Sequence, residues 1–249
     1  GGEIWHAGAG AQSIAWTSAG APGGVTLEYT ADSAASSPVW TAIATGAANT
    51  GSYAWNDLPE VATSRARVRI GATGLAPDVS DADFTIALGT LALTSPNGGE
   101  LLYAGANHPV KWTASNFTAE ATLELSTNGG ASFDRFIATV SAADGSYPWQ
   151  VPAVESTTCR LRLRSAAGAV QDLSDADFTI ALPGLALVSP AGGEIWHYGG
   201  ATGLILWNGA GVSGGVTLEY TADSAAAPVV WKPIATAQSA DGSYKWIIP

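Results

Sequence analysis

The run GGVTLEYTADSAA at residues 23–35 returns letter for letter at residues 214–226, 191 residues later. Inside it Val25, Leu27 and Tyr29 alternate with Thr26 and Glu28, which is the period of a half-buried β-strand. A looser version, ATLELSTNGG, occupies residues 121–130. A strand pattern that comes back at long, regular intervals makes the chain an array of like units, and that decides its architecture before any motif is sought.

Three copies align along the chain. They open with GGEIWHAG (1–8), SPNGGELLYAG (95–105) and SPAGGEIWHYG (189–199). Each runs on to a strand with Trp16, Trp112 or Trp207, then to the alternating stretch described above. Next come WTAIAT (40–45), FDRFIAT (133–139) and WKPIAT (231–236), and a GSY turn before Trp55, Trp149 or Trp246. The first two copies continue through SRARVRI (64–70) or CRLRLRS (159–165) and close with DVSDADFTIAL (78–88) or DLSDADFTIAL (172–182). The spacing between copies is 94 to 97 residues, and the first and third resemble each other more than either resembles the second. This predicts modules at 1–88 (first strand missing), 89–182, and 183–249 (last two strands missing), within an A–B–A array cut from something longer. The junctions Leu88-Gly89-Thr90-Leu91 and Leu182-Pro183-Gly184-Leu185 are too short for flexible tethers, so neighbouring modules are expected to stack end to end as a rod.

About seven short strands per copy, divided by Gly, Pro, Asn and Ser and without an amphipathic helical run, predict an all-β fold: tandem Ig-like or fibronectin type III-like antiparallel sandwiches. Hydrophobic residues make up 47% of the chain, enough for packed cores, while charged residues make up only 12%. With ten Lys and Arg and a net charge of −11, the chain lacks the basic patches that nucleic acid or an anionic membrane surface requires. No apolar run reaches the length of a membrane span. The one cysteine, Cys159, lies in a β-alternating run with Leu161 and Leu163 and is expected to be a buried, inert thiol.

Few residues suggest chemistry. His6 and His197 share a module position where the second copy has Tyr103, and no pair of histidines has metal-ligand spacing. No nucleophile elbow, phosphate loop or dinucleotide fingerprint occurs, so the chain is expected not to be an enzyme and to need no cofactor. Calcium is the one ion left open: Asp78, Asp81 and Asp83 recur as Asp172, Asp175 and Asp177, and clustered carboxylates are the hard ligands it takes. The simpler reading is a turn whose Asp and Ser side chains hold backbone before the last strand. Arg65, Arg67 and Arg69, like Arg160, Arg162 and Arg164, alternate along one strand face, and their expected partners are Glu28 and Glu124 on an adjacent strand or the Asp cluster. Asn116-Phe117-Thr118 is an N-glycosylation sequon.

Together, SPxGGE, the Trp strand, VxLExT, IAT, DGSYxW, RxRxR and SDADFTI resemble the Kre/Knh-type domain, the Ser-Thr-rich GPI-anchored membrane family. Ser95-Pro96-Asn97-Gly98-Gly99-Glu100 and Asp144-Gly145-Ser146-Tyr147-Pro148-Trp149 carry the likeness best, and Ser126-Thr127-Asn128-Gly129-Gly130 is similar to the family's hairpin. The first and third copies depart from that hairpin with longer, Ala-rich loops. The resemblance implies an Ig- or fibronectin-like fold, tandem arrangement, an extracellular location and no catalysis; it names no ligand.

The expectation is therefore a non-catalytic extracellular array, part of a stalk, fibre or surface filament, whose partners are copies of itself or neighbouring modules. The alternative is a carbohydrate-binding or adhesive module that contacts cell-surface glycan through Trp5, Trp40, Trp196 and Trp231, which requires those rings to be exposed in a row.

Overall fold

A computed structural model describes residues 1–19 and 23–249. Apart from one 3-10 turn at Ala142–Asp144, the described residues form strands and their connections. The chain resolves into two compact units: Gly1–Gly99 with Pro109–Pro148 and Thr158–Asp177, and Glu100–His108 with Trp149–Thr157 and Phe178–Pro249.

The first copy has eight strands: β1 (Ile4–Ala7), β2 (Gln12–Ala15), β3 (Val25–Thr30), β4 (Thr41–Ala47), β5 (Ser52–Trp55), β6 (Thr63–Ala72), β7 (Asp78–Val79) and β8 (Phe84–Leu88). β1, β8, β6, β3 and β4 form one sheet in that order, with the short β7 on β6, and β2 pairs with β5 in another. Both sheets turn apolar side chains into one core, where Ile14 and Trp55 of one meet Ala7, Leu27, Ala66, Phe84 and Ile86 of the other. Two sheets over a shared core are the antiparallel sandwich predicted from alternation. One pairing runs the other way: β1 lies parallel to β8, Ile4 beside Thr85 and Ala7 beside Leu88.

The second copy supplies β9 (Thr90–Ser95), β10 (Leu101–Tyr103), β11 (Asn107–Ser115), β12 (Glu120–Ser126), β13 (Arg135–Ser141), β14 (Ser146–Gln150), β15 (Ser156–Ser165), β16 (Gln171–Leu173) and β17 (Phe178–Ala181). Its pairings repeat those of the first copy. β12 pairs antiparallel with β13 and β15, as β3 does with β4 and β6, and β15 carries β16 as β6 carries β7. In the first unit β9 pairs with β11, placing Leu93 opposite Trp112. β15 shows why the sequence folds this way: Cys159, Leu161 and Leu163 are wholly buried and the arginines between them are not. Each leucine so buried contributes about 1.5–3 kcal/mol. Cys159 is a buried thiol, as its setting predicted.

In the second unit β10 runs parallel to β17, the counterpart of β1 on β8. The third copy adds β18 (Gly184–Ser189), β19 (Thr202–Ala210), β20 (Val216–Tyr220), β21 (Lys232–Gln238) and β22 (Gly242–Ile247). β19 pairs with β18 and β22, and β20 with β21. Ile205 and Trp207 meet Val216 and Leu218 in a small core. The Trp-strand anchors behave alike. Trp112 and Trp207 are buried, Trp16 is half-buried, and their indole N–H groups donate to Ala142 O, Ser239 O and Asn49 Oδ1 respectively.

Candidate functional site

The charged side chains of the first two copies form one recurrent arrangement. Alternation along β6 and β15 puts every arginine on the face away from the core, where the neighbouring strand offers a glutamate. Arg69 lies opposite Glu28 and bonds it at 2.6 Å, and its guanidinium stacks on Trp40, 4.5 Å from the ring centre. Arg162 lies opposite Glu124, bonds it at 2.8 Å and stacks on Phe133 at 4.3 Å. Arg164 adds a second bond to Glu124 at 2.9 Å. The hydrogen bond from Arg69 holds the Glu28 carboxyl below its ordinary range, and Glu28 raises Arg69 in return. Burial works against the ionised form of Glu124, but the bonds from Arg164 and Arg162 outweigh it and the net displacement is downward.

The closing motif has its own place in this arrangement. Asp83 takes Arg67 at 2.6 Å and Ser33, which keep its carboxyl below the usual range, and Asp177 takes Arg160. The same two arginines donate to the carbonyls of Ser80 and Ser174. The hydroxyls of those serines accept the backbone N–H of Val68 and Leu161. The motif is thus an arginine anchor, and both partners expected for the arginine rows are used. Reading the rows in order pairs Arg65 with Arg160, whereas the register matches Arg67 with Arg160 and Arg69 with Arg162. Arg65 is left with a long, exposed contact to Asp32 at 3.6 Å. Counting back from the aspartate would not have found the shift, because Arg160 lies 17 residues before Asp177 while Arg67 lies 16 and Arg65 lies 18 before Asp83.

The other calcium candidates are dispersed. Asp172 accepts the N–H of Leu93 at 2.7 Å, Asp175 is bonded to the Asn97 amide at 2.7 Å, Asp81 is exposed, and Asp78 lines a cavity. Among the described residues no three His, Cys, Asp or Glu side chains gather as a ligand set. The four candidate tryptophans have different surroundings. Trp5 packs on Trp55 and Phe84, Trp196 on Trp246, and Trp40 carries Arg69, while Trp231 is 58% exposed.

Sequence reasoning missed how successive copies touch. In the first unit the carbonyl of Gly8 accepts the N–H groups of Thr118 and Ala119 at 2.7 and 3.0 Å. The Phe117 ring lies so close over Gly8, whose φ is +78°, that any side chain there would collide with it. In the second unit the Tyr103 ring lies as closely over Gly211, φ +68°. Both contacts join the same two places in the repeat: the end of the opening strand and the loop after the Trp strand. The sequon falls in this loop, with Asn116 exposed and Phe117 buried. Beside Gly8, Nδ1 of His6 is buried without a hydrogen-bond partner. A further contact links Glu60 to the Ser165 hydroxyl and the Ala169 N–H.

A cavity of about 670 Å³ is lined by Ile14, Trp16, Val68, Ile70 and Asp78 in the first copy. In the second copy the counterpart position, beside β11 and β16, is taken by β9 with its N–H bond from Leu93 to Asp172.

No family model matches the chain, and no curated protein does. Among solved structures it is similar to the fibronectin(III)-like modules of Clostridium thermocellum CbhA (13% identity over 79% of this chain and 95% of that one, TM-score 0.27). It is likewise similar to the three N-terminal domains of the bacteriophage RB49 Highly Immunogenic Outer Capsid protein (13%, 99% and 84%, TM-score 0.33). Extracellular domains 3–5 of Drosophila OTK align at 12% identity over 84% and 72%, with a TM-score of 0.27. Superpositions this loose add nothing on function to what the strands themselves say. No described helix is long and apolar enough to cross a membrane.

Proposed function

We propose that the chain is a non-catalytic stretch of an extracellular repeat array, of the Kre/Knh-like kind, that serves as part of a stalk, fibre or surface filament. The observation that carries this reading is the recurrent contact between successive repeats. Gly8, after the first copy's opening strand, receives Phe117, Thr118 and Ala119 from the loop after the second copy's Trp strand, and Gly211, in that loop of the third copy, receives Tyr103 from the second copy's opening strand. A repeat that offers its neighbour backbone hydrogen bonds and an aromatic seat is built to hold the next repeat rather than to swing on a tether.

Electron microscopy of the native material tests the reading. Filaments or stalks whose axial repeat is a whole number of modules support it. Isolated particles without a regular axial repeat overturn it. The glycan-binding alternative is favoured by the exposure of Trp231; binding on a glycan array that Trp231→Ala abolishes would establish that reading instead.

A further inference from the structure

Asn116-Phe117-Thr118 is the one place in the chain where an asparagine stands two residues before a serine or threonine. The fold treats its three residues differently. Asn116 is exposed and lies in the left-handed region at φ +53°, which asparagine tolerates better than most residues. Asn49, Asn97 and Asn128 bond their side chains to Trp16, Asp175 and Ser132, whereas among the described residues the Asn116 amide makes no hydrogen bond. Phe117 is 1% exposed, its ring seated over Gly8. Thr118 donates both its N–H and its hydroxyl to the Gly8 carbonyl, at 2.7 and 3.2 Å. Gly89 packs so closely on the Asn116 carbonyl that a side chain there would strike it. The motif is thus gripped at its second and third residues and open at its first, and every partner belongs to the first unit.

We propose that Asn116 is the acceptor of a single N-linked oligosaccharide, and that it is modified before the second copy seats on the first and not afterwards. A bond forms between Asn116 Nδ2 and the anomeric carbon of the sugar. The bond from that carbon to the pyrophosphate of a polyprenyl-linked donor breaks, the lipid pyrophosphate leaves with the electron pair, and an amide proton passes to a base of the transferase. An amide nitrogen is a poor nucleophile, so the transferase has to hold the asparagine amide and the hydroxyl two residues on together, in a segment drawn out from the fold. In the closed junction that hydroxyl is bonded to Gly8 and the ring between the two groups is buried, so the segment is not offered in that form. Because Asn116 itself is exposed, a sugar already attached leaves the seat of Phe117 and the bonds of Thr118 in place. The inference rests on the extracellular reading, since such transferases act on chains that leave the cytoplasm.

The chain is secreted from a eukaryotic cell behind a signal peptide, and its intact mass is measured before and after treatment with peptide N-glycosidase. One oligosaccharide is expected, missing in Asn116→Gln and in Thr118→Ala; a secreted chain without it overturns the site. For the order of events, chain produced in a bacterium without the transferase is folded and then mixed with microsomal transferase and lipid-linked oligosaccharide. A synthetic peptide of residues 110–124 is expected to be modified at least about ten-fold faster than the folded chain, whose junction has to open first. Gly8→Ala puts a methyl group where the Phe117 ring lies, and a folded chain carrying it is expected to recover most of the lost rate. Equal rates for peptide and folded chain overturn the order of events, and so does a Gly8→Ala chain that keeps its cooperative unfolding transition and is modified no faster than its parent. Regular filaments of a sugar-free secreted chain refute this site alone; a modified chain without a regular axial repeat refutes the array reading alone.

Discussion

The strand Leu-Ala-Leu appears twice in nearly the same words and in two different situations. In β9, Leu91 and Leu93 are 6% and 4% exposed; in β18, Leu185 and Leu187 are each 59% exposed. Their local pairing is the same, since Leu93 stands opposite Trp112 and Leu187 opposite Trp207. What differs is the layer above. β9 is tied to β16 through the bond from Leu93 to Asp172, whereas β18 is exposed from Gly184 to Val188. A period-2 pattern therefore decides which way a side chain points, and a second sheet decides whether it is buried.

The sharpest way to break this comparison is a pair of truncations. Leu93→Ala removes a buried side chain from a filled site and is expected to cost about 2–5 kcal/mol in denaturant unfolding. Leu187→Ala at the exposed counterpart is expected to stay within about 0.5 kcal/mol. Equal losses would mean that in solution something covers Leu187 as β16 and its neighbours cover Leu93.

A smaller contrast lies between the two glutamates. Glu124 is 9% exposed and serves two arginines; Glu28 serves one. Glu124→Gln is expected to cost about 2 kcal/mol at neutral pH and Glu28→Gln about 1 kcal/mol, because the more buried substitution leaves two guanidinium groups without their carboxylate. Both carboxyls are held below the ordinary glutamate range in the native state. Their stabilisation is therefore complete above the unfolded value and is lost as pH falls through the native one. Thermal melts from pH 6 down to pH 2 should show a shallower acid limb in either variant, with the larger flattening in Glu124→Gln. An unchanged acid limb in both would show that the aspartates of the closing motif, not these glutamates, set the response to acid.

Much of this was legible in the sequence because it depends on period alone. The alternation in VTLEYT and in the arginine rows gave the strands, their inner faces and the cross-strand partners Glu28 and Glu124. The register between copies was not legible, since the SRARVRI and CRLRLRS rows align by eye in order although Arg67, not Arg65, occupies the place of Arg160. Two strands of equal pattern slip by two residues without moving any side chain to the other face, so the alignment is fixed by partners on other strands: Glu28 and Asp83 in the first copy, Glu124 and Asp177 in the second. The seat of Phe117 over Gly8 was equally hidden. A glycine after a strand is an ordinary turn signal, and nothing local marks one as the place where a ring more than a hundred residues away will lie.

The last contrast concerns the two aspartates that begin the closing motifs. Asp172 accepts the Leu93 N–H at 2.7 Å, a bond between β16 and the strand that crosses the core from it. Asp78 holds the same place in the first copy and faces the cavity instead. Replacing a charged acceptor with an amide keeps the size and can keep a weakened bond, so Asp172→Asn is expected to cost about 1 kcal/mol. Asp78→Asn is expected to change unfolding by less than about 0.5 kcal/mol. Amide exchange gives the finer test: Leu93 N–H should exchange several-fold faster in Asp172→Asn, with no comparable change at the first copy's Val68 in Asp78→Asn. A cost at Asp78 equal to that at Asp172 would mean that Asp78 holds a backbone donor in solution much as Asp172 holds the Leu93 N–H, and the contrast between the two aspartates would fall.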